Sequence, residues 1–246
     1  MTIYSIADLH LSCGDKPMDV FGDNWIDHQA RIERDWRERV KQHDVVLLPG
    51  DISWAMNLDQ AREHLKWICA LPGRKILLRG NHDYWWSAVS RVRSALDERA
   101  FALQNDSLLL DGVLFAGTRG WLLADCGLEA ADEKIYNREL LRLELSLKNA
   151  RARSESAPLV VMMHFPPLTE QNRDTGFTRL LNQYGAAHLV YGHVHGPSIK
   201  GAFRGAWRGV QYHLVSSDAL DFSLYRLMDW PDGPSLQTIN SACGPD

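Results

Sequence analysis

Five short blocks of this chain carry residues that can do chemistry. They are Asp8-Leu9-His10, Gly50-Asp51, Gly80-Asn81-His82-Asp83, His164, and Gly192-His193-Val194-His195. Each follows a short apolar run that reads as a β-strand. Strand after strand therefore ends in Asp, Asn or His, where a parallel sheet gathers its ligands. Oxygen and imidazole donors without a thiolate suit Mn, Fe, Zn, Co or Ni better than Ca or Mg. Two such ions, about 3.5–4 Å apart, clamp an in-line phosphoryl displacement. They also lower the pKa of a bridging water towards neutrality, which makes hydroxide available as a nucleophile. The expected chemistry is hydrolysis at a dinuclear metal site.

The spacing within each block has a reason. Asp8 and His10 are two apart, so they face the same way if strand conformation persists there. Asp51 follows a glycine, which lets the chain turn as it leaves the sheet. Its two carboxylate oxygens can serve two cations. Asn81 also follows a glycine and offers a neutral carbonyl oxygen. His164 ends the apolar run Leu-Val-Val-Met-Met, and His193 and His195 flank Val194. A lone Asp-x-His is common, and a lone Gly-Asp is an ordinary turn. All five blocks in order, each at an expected strand end, make the pattern specific.

The elements that must position these residues follow from periodicity. Residues 3–7, 44–49 and 75–78 read as buried strands. Between and after them, 25–40, 58–70 and a segment around Val89, Val92 and Leu96 read as helices. Asn57 and Gln60 suggest a capping box for the second helix, and Pro72-Gly73 stops it. This βαβαβα rhythm predicts a parallel sheet covered by helices. In the second half, short strands are expected at 101–104, 107–110 and 113–116, with Asp111-Gly112 as a tight turn. A long charged helix over about 132–152 is expected to present a solvated face with i,i+4 ion pairs. Strands return at 159–163 and 188–191, and later strands near 207–215 and 222–226 read as antiparallel. Tyr84, Trp85 and Trp86 read mainly as core residues. The 246 residues form one expected domain, with a loosely packed tail from about 230.

Composition narrows the partners. Hydrophobic residues make up 45% of the chain, enough for a substantial core, and the formal net charge is -4. No basic stretch runs along the chain, so nucleic acid is a disfavoured partner and a nuclease the weaker reading. No apolar run approaches the roughly 18 residues needed to cross a bilayer. The first residues lack a basic segment and an apolar leader core, and the four cysteines form no C-x-x-C pair. A cytoplasmic protein acting on a small-molecule phosphoester is expected. Oligomeric state is not written in the sequence.

From residue 3 to about 226 the chain resembles the calcineurin-like metallophosphoesterases, through the five blocks quoted above. The resemblance implies an α/β fold, a four-layer αββα sandwich of two mixed β-sheets flanked by helices. It implies that Asp8, His10 and His195 hold one divalent ion, that Asn81, His164 and His193 hold the other, and that Asp51 bridges. Manganese is the favoured metal. His82 would face the substrate and either stabilise the phosphoryl group or protonate the leaving oxygen, with Asp83 orienting its ring. Arg119, between two glycines, and Arg79 are candidates for binding substrate phosphate. Many relatives continue the second block as Gly-Asp-x-x-Asp/Asn, whereas this chain places Trp54 there. It also lacks the Asp-Arg-Gly of the family's protein phosphatases. A lipid-headgroup pyrophosphohydrolase branch opens with a similar Asp-Leu-His-Leu but carries Arg at the position of His82. The blocks look most like the small-molecule and cyclic-nucleotide phosphodiesterase branch. A phosphomonoesterase is the alternative, and a non-catalytic scaffold on the same fold is a remote one.

Overall fold

The computed structural model describes residues 1–12, 17–123 and 129–231. The expected loose tail falls almost wholly outside them. The first half builds a five-stranded sheet from β1 (Thr2–Ser5), β2 (Val45–Pro49), β3 (Arg74–Leu78), β4 (Ala100–Ala102) and the late strand β11 (Tyr225–Asp229). Its order is β11-β1-β2-β3-β4, parallel except for the β11 edge. The second half builds a six-stranded sheet from β5 (Ser107–Leu110), β6 (Val113–Thr118), β7 (Leu159–Met163), β8 (His188–Tyr191), β9 (Gly205–Trp207) and β10 (Val210–Leu214). Its order is β5-β6-β7-β8-β10-β9.

Side-chain alternation explains how these sheets become four layers. On β2, Val46 and Leu48 point to the outer face and pack under α1 (His28–Arg39) and α2 (Leu58–Ala70) with Ile32, Trp36, Leu65 and Ile68. Val45 and Leu47 point the other way and meet Phe115, Val160, Met162 and Val190 of the second sheet. On that sheet Leu114, Val161 and Leu189 face outward, onto α4 (Ala130–Arg153) and α5 (Gly176–Gln183). Strands buried on both faces must be largely apolar; β2 and β7 are so throughout, and β3 is so after Arg74 and the buried Lys75, whose Nζ donates to Cys69 O and Leu71 O. Each large apolar side chain so buried contributes roughly 1.5–3 kcal/mol.

Several sequence expectations shift in detail. The first helix begins at His28 rather than 25, because Asp27 sits at φ 53°, outside helical space, and turns Trp25 inward. The third helix, α3, spans only Val89–Ser94. The capping box of α2 is half formed: Asn57 accepts from the Gln60 N–H at 3.0 Å, but the Gln60 side chain accepts from Met56 instead. Asp111-Gly112 does make the two-residue hairpin turn, with both residues at positive φ. The segment 207–215 is not one strand, since Arg208-Gly209 makes a second such turn between β9 and β10. β10 then runs parallel to β8, not antiparallel, because the long connection after β8 permits a crossover.

Candidate metal centre

All five blocks come together at the carboxyl ends of β1, β2, β3, β7 and β8. One bond ties the two sheets together there: Ala7, after β1, donates to Val215 O, after β10, at 2.7 Å. Within each sheet neighbouring strand ends are also linked, Asp8 donating to Gly50 O at 3.0 Å in the first and Gly192 to His164 O at 3.2 Å in the second. Strand conformation does not persist through the first block: Asp8 and His10 lie at φ 60° and 44°. Both still face the centre, held by the left-handed turns rather than by strand alternation. Two glycines allow the loops to meet. Gly50 has φ +94°, and a methyl group there would lie 2.7 Å from both Gly80 Cα and His164 Nδ1. Gly80 needs no unusual φ, but a methyl group on it would collide with Asp51.

The two carboxylates are oriented in the same manner. Asp8 Oδ2 accepts from the His193 N–H at 2.9 Å, which leaves Oδ1 3.6 Å from His195 Nε2 and 3.7 Å from His164 Nδ1. Asp51 Oδ1 accepts from the His82 N–H at 2.8 Å, which leaves Oδ2 3.4 Å from His164 Nε2 and 3.9 Å from His10 Nε2. Each carboxylate thus spends one oxygen on another ligand loop and presents the other to the centre. Asn81 Oδ1 lies 2.7 Å from His164 Nε2. His164 Nδ1 donates to Pro49 O at 3.1 Å, which fixes the ring with Nε2 inward. The His193 ring packs on Phe165 and His164, at centroid distances of 4.0 and 5.1 Å.

These donors fit a cation. Asp8 Oδ1 and His195 Nε2 are buried, have no hydrogen-bond partner and face each other. The ligand atoms of Asp8, His10 and His195 lie within 4.8 Å of one another, as do those of Asp8, Asp51 and His164. Without a cation, protons must do its work. Burial pulls His164 and His195 down, but the carboxylates outweigh it: Asp51 and Asp8 raise His164 to about 9, and Asp8 with Asp218 raises His195 to about 10. Burial prevails at His10 and His193, which fall to about 4 and stay neutral, the metal-binding form.

A family model described as calcineurin-like phosphoesterase matches residues 1–197. The chain belongs to that family. It is therefore a hydrolase of phosphoesters, with the two-sheet sandwich expected of it. Gene 66 protein of Mycobacterium phage D29 is 24% identical over 200 residues, 80% of each chain. Phosphopantetheinyl hydrolase from Mycobacterium tuberculosis is 19% identical with a TM-score of 0.54, over 94% of this chain and 96% of that one. A protein of unknown function from Aquifex aeolicus is 17% identical with a TM-score of 0.52, over 91% and 94%. At these identities the two solved structures are alike in fold.

Three expected roles change within this phosphoesterase. Asp83 does not hydrogen-bond to the His82 ring. Fully buried, it accepts from the N–H groups of Gly80, Ile52 and Ser53 and from the Trp85 indole, at 2.7–3.1 Å. It braces the Asp51 loop against the Asn81 loop, while burial and the nearby Asp51 push its carboxyl up to about 6. Arg119 turns away from the centre: its guanidinium lies 4.5 Å above the Trp121 ring and 3.6 Å from Glu139. Only its carbonyl serves the site, accepting from His164 and Phe165 at 3.1 and 2.9 Å. Arg79 shares a separate cavity with Arg119. The charged helix α4 is not simply solvated either, because Glu139 is 1% exposed.

One participant escaped the sequence reading, and Trp54, singled out there as a departure, proves to wall the site. Asp218 accepts from His195 Nδ1 at 2.8 Å and from the Gly196 N–H at 2.9 Å, which aims Nε2 at Asp8. It lies just beyond β10, so the strand-end rule applied once more would have found it. Trp54 stacks on His10 at 5.0 Å and 21° and packs against His82 at 4.5 Å, with its indole N–H on Met18 Sδ. An aromatic wall thus stands where the resemblance implies a polar side chain.

Proposed function

We propose that the chain hydrolyses a small phosphodiester with an aromatic or apolar substituent, at a centre of two divalent ions. The single observation that carries this reading is a cavity of about 470 Å³ opening on His10, His82 and His195. Trp25, Trp54, Phe21, Met18 and Pro197 form its walls, and among the described residues its lining includes Asp218 but no Lys or Arg. A mobile dianionic monoester would want side-chain cations beyond the metals. A diester carries one negative charge and needs less. The aromatic walls suit a stacked ring, and the limited volume suits a small molecule rather than a nucleic-acid strand.

Asp8, His10 and His195 would hold one ion, and Asn81, His164 and His193 the other, with Asp51 between them. Two such ions, manganese favoured, supply charge neutralisation on the phosphoryl oxygens and a lowered pKa for water. The chain's own residues do the rest. Asp218 orients His195, and Pro49 O orients His164. Asp83 keeps the Asp51 and Asn81 loops in register. His82 lines the cavity with its ring between Trp54 and Tyr84, and its buried Nδ1 has no partner. That ring can carry a proton to the departing ester oxygen.

The test compares kcat/KM for bis-p-nitrophenyl phosphate and p-nitrophenyl phosphate on the manganese-loaded protein. Diester preference supports the reading, and Trp54→Ala should then raise KM for the aryl diester while kcat changes less. Monoester preference overturns it in favour of a phosphatase. Among the described residues no helix is long and apolar enough to cross a membrane. A cytoplasmic setting is part of the proposal.

A further inference from the structure

A second cavity, of about 230 Å³, lies at the ends of β3, β4 and β6 under α4, and shares no lining residue with the first. Four arginines line it: Arg79, Arg119, Arg138 and Arg142. The one carboxylate in its wall is Glu139, and that carboxylate is already engaged. Its Oε2 accepts from Thr118 at 2.6 Å and its Oε1 from Arg142 at 2.8 Å, with Arg119 and Arg138 further off at 3.6 and 3.8 Å. Among the described residues the Arg79 side chain, only partly exposed, makes no hydrogen bond or ion pair. The Nε atoms of Arg79 and Arg119 are both buried without a partner.

Gathering four like charges around one acid is unfavourable unless something offsets them, and buried unpartnered N–H groups add a desolvation cost. We propose that this cavity is a second anion site, taking a dianion of the phosphate class. Guanidinium forks match tetrahedral oxyanions in pairs, and two negative charges balance the excess here better than one. The anion would be inorganic phosphate or the phosphoryl end of a small phosphorylated molecule. The site adjoins the metal centre through the chain itself. Arg79 immediately precedes the loop carrying Asn81, and the Arg119 carbonyl holds His164.

The test removes metal-centred phosphate capture first. Full-length Asp51→Ala protein, and in parallel the native chain stripped with EDTA, is titrated calorimetrically with inorganic phosphate and separately with a nucleoside monophosphate. The expected result is one saturable site for phosphate that weakens with added salt and loses at least tenfold in affinity in Arg142→Gln. Arg138→Gln, at a half-exposed position, should weaken binding without threatening the fold. Binding of the monophosphate as well identifies a phosphoryl end as the ligand, and its failure leaves inorganic phosphate. No saturable phosphate binding, or binding unchanged in both arginine variants, overturns the proposal. Neither result touches the hydrolytic reading, because no turnover is measured.

Discussion

Asp218 holds His195 by a 2.8 Å hydrogen bond to Nδ1, and so delivers Nε2 to within 3.6 Å of an Asp8 oxygen that has no hydrogen-bond partner. A carboxylate behind a ligating imidazole fixes the ring's tautomer and raises its basicity. Asp218→Ala should therefore lower metal affinity by about 10–100-fold, measured by competition with a chelator. Rescue in Asp218→Asn should be only partial, since an amide oxygen still accepts from Nδ1 but carries no charge. Unchanged affinity in Asp218→Ala would show that the ring is held by packing alone.

Gly80→Ala should cost about 1–3 kcal/mol, the usual range for overpacking. The new methyl group would collide with the Asp51 carboxylate and backbone nitrogen, so metal content should fall with stability. Denaturant midpoints and metal analysis of the purified variant read both effects. Native values for both would mean that the two ligand loops have room to separate.

Much of this site was legible from the strand-end rule, because Asp51, Asn81 and His164 all leave strands that end in apolar, buried runs. Such strands announce themselves in sequence. The rule did not foresee that Asp8 and His10 would reach the centre through left-handed turns, since backbone conformation just past a strand is set by contacts with Gly50, Asp51 and Ser217. Asp83 was misjudged for a related reason: adjacency to His82 says nothing about which buried N–H groups need an acceptor. Arg119 has the right chemistry for substrate phosphate, and Glu139, twenty residues on and in another layer, draws it elsewhere. The direction of β10 was lost because a two-residue turn at Arg208-Gly209 is easily read through.

The proton balance at the centre predicts a pH dependence. In the metal-free protein His164 and His195 have folded pKa values of about 9 and 10, above their ordinary value near 6.5. Their contribution to stability is complete below pH 6.5 and is lost as pH rises through 9–10. Metal binding displaces those protons and is weakened by them. The gain in Tm on adding manganese to EDTA-treated protein should therefore grow steadily from pH 6.5 to 8.5. A gain that stays flat or shrinks over that window would contradict the protonated state of these two rings.

His82→Ala should retain full metal content and lose about 10²–10⁴-fold in kcat on diesters with poor leaving groups. With p-nitrophenolate, which departs without a proton, the loss should be much smaller. Equal losses on both kinds of ester would assign His82 to binding rather than to proton transfer.

On the proposed function, hydrolysis needs two ions held by one cluster of ligands around Asp51. Apo protein should be titrated with Mn²⁺ while hydrolysis of bis-p-nitrophenyl phosphate is followed, with Asp51→Ala as the control. Activity that rises with the second equivalent and is absent from the variant is the predicted result. Full activity with one equivalent or none, or undiminished turnover by Asp51→Ala, would contradict it.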